Sequence, residues 1–301
     1  MIWMKLMTFE YQNESFYGVK DRDQEFVWIL PRIFEDFGYE IYPRSVLEVI
    51  EQFEREEFEQ FIEPIIRQAD QSDNAINYRA PLYSIDFKAP ITPRDNIIGF
   101  GKNYAEHIKE MENNPELYIF TKMVSALVGH EDIIPNHQDI TNQLDYEGEL
   151  GVVISHRAYK VKAEEAMDYI YGFTVINDIS DRKAQQEHSQ SFLAKSLKGS
   201  APMGPWVITK DKVKNPQNLS IVTKVNDEVR QNGNTKDMIL DINEQIEIIS
   251  KYVELQPGDV IATGTPSGVA AGMDRPKFLQ PGDTVSITID EVGTLTNELK
   301  R

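Results

Sequence analysis

Asp145-Tyr146-Glu147-Gly148-Glu149-Leu150-Gly151-Val152-Val153-Ile154 and, 31 residues beyond Glu147, Asp178 at the end of Gly172-Phe173-Thr174-Val175-Ile176-Asn177-Asp178 decide how this chain folds. Each stretch is a short, nearly unbroken apolar run of the length and composition of a buried strand. Glu147 and Glu149 stand two apart at the mouth of the first run, so a strand there turns both side chains to one face. Asp178 closes the second run, and two strand ends can therefore deliver three acidic oxygens to one point. In a chain with 49 acidic residues, acidic pairs two apart are common on solvated faces. Here the flanking runs would desolvate them, at several kcal/mol for each unpaired ion, which calls for a cation or a proton. An all-oxygen donor set suits magnesium, manganese or calcium, and no cysteine is present for a thiolate zinc site.

Working outward, 301 residues are enough for one large or two modest domains. A formal net charge of −18 reverses the sign of the attraction that drives binding to nucleic acid or to an anionic membrane, so neither partner is expected. The apolar stretches are far too short to span a membrane, and Met1 to Thr8 lacks the apolar core of a signal peptide. A cytoplasmic protein is expected. The absence of cysteine removes disulfides and thiol catalysis.

The first ninety residues read as a small α+β unit. Strands are expected at Ser15–Val19 and Phe26–Leu30. One amphipathic helix is expected over Ser45–Arg67, with Val46, Val49, Ile50, Phe53, Phe58, Phe61, Ile62 and Ile65 as its packed face. Polar residues 68–77 and then Pro81, Pro90 and Pro93 punctuate the chain, placing a boundary near residue 90. The expected organisation is thus 1–90, a small α+β domain and linker, and 91–301, a predominantly β catalytic domain. Helices are expected near 162–170 and 241–253. Leu255-Gln256-Pro257-Gly258-Asp259 and Leu279-Gln280-Pro281-Gly282-Asp283 repeat a turn-then-strand chemistry in which proline presets φ and glycine takes the positive φ.

Further candidates surround the acidic trio. His107 and Glu110 are spaced three apart on a presumptive helix after Gly99-Phe100-Gly101, so the carboxylate can orient the imidazole as a general base. An exposed pair of that spacing is otherwise only a minor helix contact. The helix is expected to close as a lid hinged at Gly99 and Gly101. Gly99-x-Gly101 lacks the third glycine of a dinucleotide loop. Arg182 and Gln185 follow Asp178 by four and seven residues, where a guanidinium fork suits a substrate carboxylate. Lys195 can stabilise a developing enolate, although alone it would read as a surface charge. The loop Ala262-Thr263-Gly264-Thr265-Pro266-Ser267-Gly268 offers amides and the Thr265 hydroxyl to an anionic oxygen, or is a plain tight turn.

Taken together, these blocks resemble the fumarylacetoacetate hydrolase family, in the family's order. They are Gly101-Lys102-Asn103-Tyr104-x-x-His107-x-x-Glu110, Asp145 to Leu150, Asn177-Asp178-Ile179-Ser180-x-Arg182-x-x-Gln185, Lys195 through Ala201-Pro202-Met203-Gly204-Pro205-Trp206, and Thr263 to Val269. Val225-Asn226-Asp227 and Asn234 to Met238 also fit, and the likeness spans roughly residues 80 to 299. The resemblance implies an α+β, mostly β architecture: a mixed β-roll with a variable N-terminal extension, usually dimeric. It also implies Mg2+ or Mn2+ held by Glu147, Glu149 and Asp178, and a small 2-oxo acid as substrate. His107, Glu110 and Lys195 take catalytic roles, and Arg182, Gln185 and Thr265 bind substrate.

Phe100 stands where larger members carry an aspartate, which places the chain in the smaller, three-carboxylate branch. Lys198, Asp181 and Lys183 depart from the acylpyruvase pattern without touching the ligands. The family's reactions include hydrolysis of acylpyruvates, decarboxylation of oxaloacetate-like acids and isomerisation of 2-hydroxyhepta-2,4-diene-1,7-dioate-type acids, so fold alone does not choose among them. C–C bond cleavage is the leading expectation, the isomerase the second. A metal-binding scaffold without turnover is the third, and it has no use for the dyad, Arg182 or Lys195.

Overall fold

The computed structural model describes residues 4–20, 25–111 and 116–301. Of the Met1–Thr8 segment, Met1–Trp3 lie outside the described residues.

The N-terminal part contains strands β1 (Lys5–Tyr11), β2 (Glu14–Lys20) and β3 (Phe26–Ile29), then helices α1 (Leu30–Asp36), α2 (Val46–Gln52) and α3 (Arg55–Asp70), then β4 (Arg79–Pro81) and β5 (Asp86–Phe87). Next come β6 (Asn96–Gly101), α4 (Ala105–Glu110), β7 (Tyr118–Met123), and the short β8 (Leu127–Val128), β9 (Ile133–Ile134) and β10 (Leu144–Asp145). The two decisive runs form β11 (Gly148–Ile154) and β12 (Ile170–Asn177), followed by β13 (Ser180–Asp181), α5 (Arg182–Glu187), α6 (Phe192–Lys195) and β14 (Ala201–Thr209). The chain ends with β15 (Ser220–Val225), β16 (Glu228–Asn234), α7 (Ile242–Ser250), β17 (Val260–Ala262), β18 (Thr284–Ile289) and β19 (Gly293–Leu299).

The long sheet runs β4-β3-β2-β1-β14-β12-β11-β17-β6-β7, and a second sheet runs β16-β15-β18-β19-β9. Alternation along the central strands divides the core. Leu150, Val152, Ile154, Phe173 and Val175 pack with Ile221, Val285 and Ile287 of the second sheet. Val153, Tyr171 and Ile176 share the opposite cluster with Ile33, Phe34, Val49, Phe58 and Ile62 of the N-terminal helices. Every residue of β11 and β12 is buried because both faces are covered. The fold is mixed and mostly β, as the sequence suggests, and its sheets are open.

The N-terminal strands extend the long sheet directly: β1 pairs antiparallel with β14, Lys5 opposite Ile208 and Leu6 opposite Val207. The single helix expected over Ser45–Arg67 is two. Glu54 starts a new helix through a reciprocal capping box with Glu57, a device that satisfies two amides otherwise left open at a helix start. Phe53, in extended conformation between the helices, places its ring 5.4 Å from Phe58 and 5.5 Å from Phe61. The segment near 162–170 is a 3-10 helix, Ala163–Tyr169, and α7 starts at a capping box of Asp241 with Glu244. Both proline–glycine turns form as read, with φ of 84° at Gly258 and 85° at Gly282. Asp259 and Asp283 each accept a 2.8 Å hydrogen bond, from the Gln256 and Gln280 amides.

Candidate metal centre and active site

Register brings the acidic trio together. In the β11–β12 ladder Gly148 faces Asn177 and Glu149 faces Ile176, so the ends of both strands meet. The Asp178 amide donates to the Glu147 carbonyl at 2.9 Å, and the Glu147 amide donates to Asn177 Oδ1 at 3.1 Å. Gly148 is required between the two glutamates, since a Cβ there would sit 2.3 Å from Thr223 Oγ1. One carboxylate oxygen from each of Glu147, Glu149 and Asp178 lies within 4.8 Å of the others, and all three residues are buried.

Three buried cations partly neutralise the trio. Lys195 Nζ donates to Glu147 Oε2 at 2.8 Å and to Asp178 Oδ2 at 2.5 Å. Lys122 Nζ donates to Asp178 Oδ1 at 2.7 Å and to the Ile179 carbonyl at 3.1 Å. Arg182 Nε donates to Asp145 Oδ2 at 2.8 Å and Nη1 to Gln185 Oε1 at 2.9 Å. Arg182 Nη2 lies 2.7 Å from Glu147 Oε1 as an ion pair without good hydrogen-bond geometry, which leaves donor capacity on a buried guanidinium.

These contacts separate the carboxylates electrostatically. Burial opposes ionisation of Glu147, yet Lys195, Arg182 and His107 hold its carboxyl well below the usual range. Glu149 behaves oppositely: burial, then the charges of Asp178 and Glu147, push it well above that range. It accepts a hydrogen bond from the Gly264 amide at 2.8 Å, and it forms no ion pair among the described residues. A buried carboxylate facing two others without a cation of its own fits a hard divalent ion, which favours such oxygen donors. Burial similarly works against the Lys122 charge, with Asp178 opposing that shift.

The proton-transfer candidates lie at the same cavity. His107 Nδ1 is 2.8 Å from Glu110 Oε1, and Glu110 Oε2 accepts from the Gly268 amide at 2.8 Å. Gly272 leaves room for this carboxylate, since a Cβ there would sit 2.7 Å from Glu110 Cγ and Cδ. With Nδ1 engaged, Nε2 is the nitrogen left for chemistry. Buried Asn103 anchors the entry to α4, donating to the carbonyls of Leu240 (3.0 Å) and Thr263 (2.9 Å). A cavity of 180 Å³ is lined by His107, Glu147, Glu149, Arg182, Gln185, Lys195 and Thr265, and also by Phe100, Lys102, Tyr118 and Ser191.

Every site residue read from the sequence thus belongs to this cluster, Glu110 and Asp178 through direct contacts with its lining. Some details differ from expectation. Gly264 spends its amide on Glu149, and the Thr265 hydroxyl donates to the Gly148 carbonyl at 2.9 Å while accepting from Gln231 Nε2 at 2.7 Å. Gly99 and Gly101 lie within β6, paired with Phe120 and Tyr118. Positive φ, 66°, falls instead on Lys102. Sequence reading missed Lys122, Asp145 and Tyr118. Lys122 had a signal: in β7, Tyr118, Phe120 and Lys122 alternate inward, and a lysine on an aromatic inward face needs a buried anion. Asp145 accepts from Arg182 and from the Ala270 and Ala271 amides at 2.8 and 3.0 Å.

Residues 96–300 match the family described as fumarylacetoacetate (FAA) hydrolase C-terminal. The chain belongs to the fumarylacetoacetate hydrolase family. A Staphylococcus aureus (strain USA300) protein described as uncharacterized is 50% identical over 300 residues, covering 99% of this chain and 100% of that one. Among solved structures, a fumarylacetoacetate hydrolase from psychrophilic Exiguobacterium antarcticum is 36% identical with a TM-score of 0.79, covering 99% of both chains. A maleylpyruvate hydrolase from Sphingobium sp. SYK-6, in complex with manganese(II) and pyruvate, is 26% identical with a TM-score of 0.75 and covers 99% of both chains. A 2-hydroxyhepta-2,4-diene-1,7-dioate isomerase from Mycobacterium marinum is 28% identical with a TM-score of 0.72, covering 99% of this chain and 98% of that one. As a member of this family the protein is an enzyme, which removes the non-catalytic scaffold reading. No helix among the described residues is long and apolar enough to cross a membrane.

Proposed function

We propose that this protein is a divalent-metal-dependent enzyme that breaks a C–C bond in a small 2,4-dioxo acid or oxaloacetate-like acid. The observation that carries the reading is one site, around a common cavity, that combines three buried carboxylates within 4.8 Å with a His107–Glu110 pair at 2.8 Å.

Glu147, Glu149 and Asp178 would hold Mg2+ or Mn2+. The ion supplies Lewis acidity toward a 2-oxo carboxylate and offsets the negative charge of the enolate left by cleavage. Glu110 holds the His107 ring with Nε2 available, and that nitrogen takes a proton from water attacking the distal carbonyl in a hydrolase. It then passes that proton to the enolate carbon; in a decarboxylase the same nitrogen first takes a proton from solvent and then delivers it to that carbon. Lys195 and the donor capacity left on Arg182 stabilise negative charge, while Gln185 and Thr265 contact substrate. The burial of the cluster strengthens each of these interactions relative to water.

A homodimer, a cytoplasmic location and a division into a small α+β domain and linker over 1–90 and a catalytic domain over 91–301 belong to the same proposal, supported by the family resemblance and the composition. Product analysis by mass spectrometry in oxygen-18 water tests the reaction. Hydrolysis places label in the acid released from the acyl half, and decarboxylation releases carbon dioxide. An unbroken skeleton with shifted double bonds would replace both with the isomerase.

A further inference from the structure

The 180 Å³ cavity has a thin outer wall. Tyr118 and Ser191 line it, and the same two residues line a neighbouring, solvent-open chamber of 690 Å³ formed with Ile119, Phe120, Thr121, Ser189, Gln190 and Phe192. Ser191, in the loop before α6, stands beside Tyr118 in this wall. The ring is built into place from behind. Gly101 is its cross-strand partner, and a Cβ there would sit 2.2 Å from the ring. Glycine under an aromatic cross-strand neighbour lets the ring lie over the backbone. Phe120 repeats the arrangement over Gly99, where a Cβ would sit 2.4 Å from its ring, and the two rings are 5.6 Å apart. Lys102 brings its ammonium 5.8 Å from the Tyr118 ring centre and also lines the inner cavity.

From this geometry we infer that Tyr118 is the residue that sets substrate length, confining the acid to the inner cavity and closing off the chamber beyond. The inner side of the wall presents hydroxyls and the Lys102 head, which suit a short acid ending in a polar or anionic group. The outer chamber presents Ile119, Phe120 and Phe192, which would take a longer apolar chain if the wall opened. The inference rests on the functional reading only in placing the 2-oxo carboxylate at the acidic trio. Burying each further methylene would otherwise add affinity, so a wall is needed to reverse that trend.

The test is calorimetric binding of uncleaved 2-oxo acids of rising chain length, 2-oxobutanoate, 2-oxohexanoate and 2-oxooctanoate, to full-length Mn2+-loaded protein. The wild type is expected to bind the longest acid about tenfold or more weakly than the shortest, the scale on which a pocket rejects excess bulk. Tyr118→Ala should reverse this order, and Tyr118→Leu should weaken the discrimination. Tyr118→Phe should keep it, because the ring is the barrier. Melting curves confirm that each variant is folded, and Ser191→Ala, which leaves the ring intact, should keep the discrimination as Tyr118→Phe does. The same chain-length profile in wild type, Tyr118→Ala and Tyr118→Leu would overturn the inference, as would a wild type that binds the longest acid best. Dioxo acids that bind with the expected length dependence but stay intact would sink the reaction assignment and leave the wall standing.

Discussion

Lys122 and Asp178 form a 2.7 Å ion pair with neither side chain exposed to solvent. The lysine has a second acceptor, the Ile179 carbonyl, so it fixes Asp178 to the strand end as well as neutralising it. Removing one partner of a buried pair leaves the other charge uncompensated, at about 3–5 kcal/mol. Lys122→Met is therefore expected to lower the melting temperature sharply in EDTA. Manganese should restore more stability to the variant than to the wild type, because the added charge replaces the missing one. Thermal unfolding with and without metal checks both parts. An unaltered midpoint in EDTA would mean that Lys122 does not hold Asp178 in place.

Glu149 gives a pH dependence whose sign follows from its surroundings. Burial and the adjacent Asp178 and Glu147 charges raise its carboxyl in the metal-free protein, so it keeps its proton to higher pH than a free glutamate. Metal needs the ionised form. Affinity should rise with pH up to the folded-state value and then level, with a proton released on binding below it. For the metal-free fold the sign is opposite: stability falls as pH rises from the unfolded value, about 4.3, through the raised folded one. Calorimetry in buffers of different ionisation heat reads the released proton. Glu149→Gln should abolish the release together with tight binding.

Glu110 accepts from both the Gly268 amide and the His107 ring, which only a carboxylate can do with both of its oxygens. In Glu110→Gln the amide nitrogen would face one of these donors. We expect a rate lower by about 10²–10⁴-fold for Glu110→Gln and for His107→Ala, with manganese affinity retained. Rates near wild type would remove the pair from the chemistry, and lost metal affinity would reassign His107 as a ligand.

The clustering of the acidic trio was legible because strand periodicity and desolvation act locally. Two glutamates beside Leu150–Ile154, and an aspartate after Gly172–Ile176, carry their meaning in adjacent residues. The cations were less legible, since Lys122 lies 56 residues from Asp178 and only the register of β7 in the sheet joins them. The glycines of β6 were misread for the same reason. Gly99 and Gly101 look like hinges in one dimension and are platforms for Phe120 and Tyr118 in three. In the N-terminal helices, apolar periodicity ran straight through Phe53, while the break came from the Glu54–Glu57 capping box.

Asp145 orients Arg182 at 2.8 Å and receives the Ala270 and Ala271 amides, so it links that arginine to the loop after β17. Asp145→Asn keeps the shape but weakens a charge-assisted bond of about 1.5–3 kcal/mol. KM for the true substrate should rise by about tenfold or more while manganese affinity changes little. Steady-state kinetics beside a metal titration separates the two, and an unchanged KM would show that Arg182 needs no such support.

The most direct test of the account is pyruvate release from oxaloacetate, acetylpyruvate and fumarylpyruvate by EDTA-treated protein before and after adding manganese or magnesium, in wild type and Glu149→Ala. The account predicts pyruvate from at least one of these acids, only with metal and only in the wild type. Cleavage that survives in EDTA or in Glu149→Ala, or intact acids throughout with fully metal-loaded protein, would contradict it.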